Sequence, residues 1–328
     1  MDIKNISNDL FVRYDNNTID SERITAPRYS YWRSVFRVFF KNPINIIVLS
    51  ILVIVLLMSF IYPLFIDYNP LDVDNVTNPN FGKPETYELS PSKAIAMFGF
   101  DIKWIFGTNK WGDSLFNGIW VGAQTSLALA LVCAAINMTV GVVVGALWGY
   151  SKVADMILTE VYNVVANVPF ILLVSVFVLI LSPGFWTFVF AMTITGWLGI
   201  AYFIRTQVII IRDREYNLAS KCLGTPALRM VSKNMLPFIT SVIVTILSTE
   251  IPSYISAEVF LTYIGIGFDD DAGATSLGTM IGSLQEYVSA PGKEHLFWIP
   301  VIVASVITVI LYIVGQNLAD ACDPRTHM

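Results

Sequence analysis

Charge is what this 328-residue chain has little of: 14% of its residues are Asp, Glu, Lys or Arg, against roughly 25% in soluble domains. With 55% hydrophobic residues and apolar runs that repeatedly reach the length of a membrane span, this excludes an ordinary soluble domain. It predicts an all-α polytopic membrane protein. Three cysteines, Cys133, Cys222 and Cys322, cannot form a disulfide framework and lack metal spacing. The two histidines, His295 and His327, stand alone, which points to neither a metal centre nor a catalytic base. No G-x-x-x-x-G-K-[S/T] phosphate loop is present, so the chain is not an ATPase of that type. The net charge of -5 says little about partners, since the distribution of charge in a membrane protein matters more than its sum. No nucleic-acid partner is expected. No signal peptide is expected, since about 43 mostly polar residues precede the first apolar run and no small-residue cleavage pattern follows it.

What is there reads as six spans. Residues 1–43 are a polar tail that ends in a basic, aromatic segment, where Arg33, Arg37 and Lys41 alternate with Trp32, Val35, Phe36, Phe39 and Phe40. That spacing predicts a helix lying in the membrane interface, or else one packed on the protein with its basic face solvated. Span one covers 44–65; Ile44 to Tyr62 alone reaches about 28 Å as a helix. Residues 66–118, rich in Asp, Asn and Pro, are too long for a turn and predict a small outside subdomain. Residues 119–316 hold five more spans: two over Gln124 to Tyr150, three over Met156 to Leu181, four over Trp186 to Phe203, five over Phe238 to Ile264 and six over Leu296 to Val314. Gly141, Gly145 and Gly149 recur every fourth residue in span two, a spacing that lets another helix approach closely. A loop at 206–237 and another at 265–294 interrupt the spans, and 317–328 is a short tail.

Lysine and arginine orient the chain. With both ends inside, 15 of the 20 fall on the inner side: seven before span one, one between spans two and three, six between spans four and five, and one in the tail. The positive-inside rule therefore predicts cytoplasmic termini and a cytoplasmic 206–237 loop.

That loop reads as a helix, a glycine corner and a second helix. Gly224 suits the left-handed position that ends a helix, Thr225 an N-cap, and Pro226 the first position of the next helix, with Pro237 marking the turn into span five. Ala219, Ser220 and Gly224 are small enough for a partner's groove to close on the helix backbone, while Arg212, Arg214, Lys221 and Lys233 place charge at the rim. Span five is the most polar, with Ser248, Thr249, Glu250 and Ser253 as the candidate lining of a path and Glu258 nearer its outer end. A span carboxylate costs about 2.5 to 3.5 kcal/mol on insertion scales, so both glutamates should face protein or water. For Glu258 a path role and a structural hydrogen bond stay equally open. Glu160 reads as a satisfied interfacial carboxylate. Asp269-Asp270-Asp271 reads as a solvated loop ahead of docking or cation binding.

Five segments, in order, carry a family resemblance. Leu218-Ala219-Ser220, three residues, Gly224 and later Leu236-Pro237 resemble the Glu-Ala-Ala loop of ABC importer permeases, with Leu218 in place of the glutamate and Glu215 one turn earlier. Phe106 to Leu115 resembles "LGTDxxGRD", Gly122 to Leu127 "GARTSL", Ile255 to Gly267 "ILLEAALSFLGLG", and Leu318 to Arg325 "LRDALDPR". The pattern is similar to the oligopeptide and dipeptide branch, closest to the Gram-positive OppC/AmiD type. The resemblance implies a type I ABC importer permease fold, a bacterial cell-membrane location, and a non-enzymatic subunit that forms a path for oligopeptides with a second, OppB-like permease. It implies two OppD- and OppF-like ATPases that hold ATP and Mg, an extracellular OppA-like lipoprotein that delivers peptide, and no cofactor in this chain. It makes Glu215, Leu218, Ala219, Ser220, Gly224, Thr225 and Pro226 the ATPase-coupling residues. Dipeptide or nickel-chelate permeases are similar. An ion-coupled transporter or an intramembrane enzyme using Glu250 or Glu258 are readings from other classes, and the enzyme lacks a second catalytic group at a plausible spacing.

Overall fold

The computed structural model describes residues 31–66, 68, 80, 83–268 and 275–323. Asp269–Asp271, His327, residues 1–30 and the 324–328 end of the tail lie outside them. Among the described residues every regular element is a helix, and the one β contact is an isolated bridge between Thr108 and Ser114.

The basic, aromatic segment forms α1 (Tyr31–Lys41). Val35 and Phe39 bury against Ala321 and Cys322 near the end of the chain, while Trp32, Phe36 and Phe40 stay exposed beside the basic residues. One stripe of the helix thus packs on the protein, and its aromatic and basic residues stay exposed. Span one is α2 (Pro43–Phe60), capped by Asn42 and followed by a 3-10 turn at Tyr62–Phe65.

Between spans one and two, α3 (Pro91–Phe98) and two 3-10 turns surround a polar knot. Fully buried Thr108 donates its hydroxyl to the Thr86 carbonyl (2.7 Å) and accepts from the Leu89 amide (2.8 Å). Gly107, at φ +82, passes so close that a Cβ would sit 2.2 Å from the Leu89 carbonyl oxygen. Asn109 Oδ1 accepts from the Trp111 and Asp113 amides, and Ser114 caps the next helix through the Asn117 amide. Burial pushes the Asp113 carboxyl up to about 6, although the Ser114 amide it accepts opposes the shift. The subdomain is tied to the rest by Glu88, which accepts from the Tyr287 hydroxyl and pairs with Lys293. Burial alone would raise the Glu88 carboxyl, but those two partners together hold it below its ordinary value.

α4 (Leu115–Tyr150) begins nine residues before the predicted span two and is the central post of the fold. Its glycine ladder faces α7 (Phe185–Arg212). A Cβ at Gly141 would lie 2.7 Å from Ile200, at Gly145 2.4 Å from the Ala201 carbonyl, and at Gly149 2.7 Å from the Arg205 carbonyl. The ladder is therefore a packing surface.

Span three departs from the sequence reading. In place of one helix over Met156 to Leu181, α5 (Lys152–Val165) and α6 (Phe170–Leu181) meet at a 76° bend. Pro169 lacks an amide and disfavours helical backbone at Val168, so the helix stops before it. α5 buries no residue fully. Its N-terminal end is pinned by Asp155, which accepts from Arg205 at 2.5 Å, and the Arg205 guanidinium lies 5.6 Å from the Trp148 ring centre and 5.4 Å from that of Tyr202. Glu160 is exposed on the same helix.

α7 runs nine residues past the predicted span four. After the loop, α10 (Thr240–Tyr263), α11 (Leu277–Ser283) and α12 (His295–Cys322) complete the chain. Among the described residues, five helices, or six spans when the bent pair counts as one, are long and apolar enough to cross a membrane.

Candidate functional site

The 206–237 loop is built on α8 (Glu215–Cys222). Its end is a Schellman motif: the Gly224 amide donates to Lys221 (3.0 Å) and the Thr225 amide to Ser220 (3.2 Å), with Gly224 at φ +79 as the sequence predicts. Nothing lies within 4 Å of a Cβ placed on Gly224, so its face is open.

The second limb differs from expectation. Pro226 occupies the N-cap, with no side-chain cap from Thr225, and α9 (Ala227–Arg229) passes into a π-turn at Met230–Met235 and a 3-10 turn at Leu236–Ile239 that runs on into α10. Pro237 sits inside that 3-10 turn, where its missing amide is tolerated, so it does not end an independent helix. Ala227 to Tyr263 forms one 37-residue helical stretch.

Exposure sorts the loop residues. Glu215, Ala219, Gly224 and Pro226 are exposed, and Ser220 and Thr225 half-buried. Leu218, Leu223 and Leu228 are 44%, 87% and 72% exposed, an apolar surface set among the charges of Arg214, Lys221 and Lys233. Arg212 is not at the rim: it turns inward and donates to the Gly149 carbonyl at the end of α4 (2.9 Å), beside Asp213. Asn217, which sequence reasoning passed over, is the buried anchor of α8, donating to the Ile211 carbonyl at 2.9 Å. Met230, Val231 and Met235 bury beneath it against α7.

Span five divides into two sides. Thr249, Ser253 and Ser256 fall along one side of α10, half-buried or exposed, and each hydroxyl donates to a carbonyl of its own helix (2.9, 2.8 and 3.0 Å). Ser248 lies elsewhere: it is buried against α12, where a Cβ on Gly315 would come 2.3 Å from its own Cβ. Glu250 is half-buried at the edge of the polar side, one helical turn before Tyr254. A groove of about 560 Å³ between α10 and α12 is lined by Ile255, Val259, Phe260, Phe297, Val301 and Ala304, with no charged residue to hold a charged ligand.

Glu258 is wholly buried. It accepts from Ser126 of α4 (2.9 Å) and from Ser276, whose hydroxyl also caps α11 through Thr279 (3.0 Å). Ser126 in turn accepts from the Leu277 amide (3.1 Å). The carboxylate is a structural tie between α4, α10 and α11, which settles its two open readings toward the hydrogen-bonded one. Of its partners, Ser126 lies in the "GARTSL"-like segment, whereas Ser276 gave no sequence signal. His295 contacts the Leu89 carbonyl at 3.2 Å. Among the described residues no cluster of His, Cys, Asp or Glu is placed to hold a metal.

Residues 141–328 match the family of the binding-protein-dependent transport system inner membrane component, and residues 30–84 match the N-terminal TM domain of oligopeptide transport permease C. The chain is similar to the oligopeptide transport system permease protein AmiD of Streptococcus pneumoniae, with 43% identity over 97% of this chain and 96% of the relative. It is 30% identical to the oligopeptide transport system permease protein OppC of Bacillus subtilis, over 98% of this chain and 99% of that one. The dipeptide transport system permease protein DppC of Lactococcus lactis is also 30% identical, over 98% of this chain and 99% of the relative. The chain therefore belongs to the binding-protein-dependent inner-membrane transport components, and among them to the OppC family of ABC transporter permeases.

Proposed function

We propose that this chain imports oligopeptides as one of two permease subunits of an ATP-driven transporter, with its termini and its 206–237 loop in the cytoplasm. The 43% identity to an oligopeptide permease over nearly the whole chain supports the substrate class. Arg214, Lys221, Arg229 and Lys233 gather on the loop, which supports the orientation.

The observation that carries the coupling role is the exposed apolar surface of Leu218, Leu223 and Leu228 around the open Gly224 corner. Apolar side chains outside the membrane are stabilised by a partner that covers them. Two ATPases that bind ATP and Mg would close against this loop and its counterpart on the second permease. The energy reaches this chain as a difference in contact between the two states of the ATPase pair. Thr249, Glu250 and Ser253 on the polar side of α10 would line the path between the two permeases, with peptide delivered from outside by a lipoprotein. Ser248, packed on α12, would brace that face from behind.

The test is ATP-driven peptide uptake by the reconstituted complex. Gly224→Trp and Ala219→Arg should each abolish uptake and co-purification of the ATPases while membrane insertion stays normal. Undiminished uptake would overturn the coupling role. Peptide accumulation by this chain alone, driven by a proton gradient, would overturn the ATP-driven reading altogether.

A further inference from the structure

Glu250 is a span carboxylate without a cation. Among the described residues, no lysine, arginine or histidine lies within 4.0 Å of it. Its flank is fixed by packing. Tyr254, 5% exposed and one helical turn farther along α10, accepts from Asn137 Nδ2 of α4 at 2.5 Å. Asn137 is fully buried, with the Met192 carbonyl of α7 at 3.4 Å from the same nitrogen. Gly196 of α7 leaves room for this chain of bonds, since a Cβ there would lie 2.5 Å from Asn137 Nδ2. Three helices therefore fix the side chain that flanks this carboxylate.

An ionised carboxylate is acceptor-only, with about four lone-pair sites. Two hydroxyls beside it add to this character. Thr249 and Ser253 spend their protons on carbonyls of α10 itself, so what they turn outward is oxygen lone pairs. The polar side of α10 thus presents acceptors and one negative charge. Its complement is a compact cation with several donors, and a primary ammonium has three.

We propose that Glu250 is a transient binding site for the α-ammonium terminus of the transported peptide, with Tyr254 and Asn137 as positioning residues. This rests on the reading of α10 as part of the path. Peptides blocked at the amino end lose both the charge and two of the three donors, and they pass this point more slowly.

The experiment uses the complete transporter in proteoliposomes and a peptide without lysine, arginine or histidine, free or N-acetylated. The delivering protein is saturated with each form after its affinity for both has been measured alone. Wild type should favour the free amine by about tenfold, the scale of one charge-assisted hydrogen bond. Glu250→Gln should bring that ratio close to one, Glu250→Asp should restore part of it, and Tyr254→Phe should lower it partially. A ratio that stays at its wild-type value in Glu250→Gln, or a wild type without preference, overturns the proposal. So does an equal loss for both peptides, which would mark a structural or proton-carrying role.

Labelling of Ser253→Cys by a membrane-impermeant thiol reagent separates the two layers, in a chain whose native cysteines have been replaced. Labelling in the assembled transporter with an unmoved ratio overturns the ammonium site alone. No labelling in any nucleotide state overturns the path reading, and the ammonium site with it.

Discussion

At the scale of single residues, Glu258 shows how a span tolerates a carboxylate. Its two oxygens are met by Ser126 and Ser276. Glu258→Ala leaves those donors buried and unpaired, at a cost of about 1 to 3 kcal/mol. Thermal unfolding of the purified chain in detergent, followed by tryptophan fluorescence, should show a clear drop in melting temperature for Glu258→Ala and a smaller one for Glu258→Gln. Equal melting temperatures would mean that the tie contributes nothing. The need for partners was legible in the sequence, because an apolar span cannot hold a bare charge. Their identity was not: Ser126 lies 132 residues away, and serine is too common to signal a contact. Asn137 and Asn217 escaped for the same reason. A lone amide in an otherwise apolar or mixed run fits many surroundings.

Among elements, α4 and α7 were the most readable pair. Glycines at every fourth position allow close approach wherever a partner helix exists, so the sequence pointed to the surface, though not to α7 as the neighbour. Gly145→Leu forces a side chain into the Ala201 backbone and should prevent recovery of folded chain from membranes. Gly199→Ala, where nothing lies within 4 Å, should leave yield unchanged and raise helix stability by about 0.5 to 1 kcal/mol. Size-exclusion profiles of the two variants compare them directly. A monodisperse Gly145→Leu protein would contradict the close approach. The break between α5 and α6 was less readable because both halves are apolar. Hydrophobic periodicity reports burial and not axis direction, and the one available cue was Pro169.

At the scale of the whole molecule, the order of spans and the place of the loop followed from apolar length and basic charge. Boundaries drifted where helices continue beyond the membrane, as α4 and α7 do, since hydropathy ends at the lipid and hydrogen bonding does not. The proposed orientation has a native reporter in Cys222, which is exposed on the loop while Cys133 and Cys322 are buried. A membrane-impermeant maleimide added to intact cells should leave the chain unlabelled, and the same reagent after permeabilisation should label it once. Labelling of intact cells would place the loop outside.

The continuity from Ala227 to Tyr263 has a mechanical consequence. A loop joined to its span by a flexible hinge would absorb a push as bending. Here the second limb of the loop is the lower end of the same rod that carries Glu250, and its base is clamped by Met230 and Met235. Under the proposed coupling role, a tilt imposed at Leu228 would be carried along this stretch and would reappear, scaled by the lever arm on either side of the clamp, as lateral travel of the face that carries Glu250.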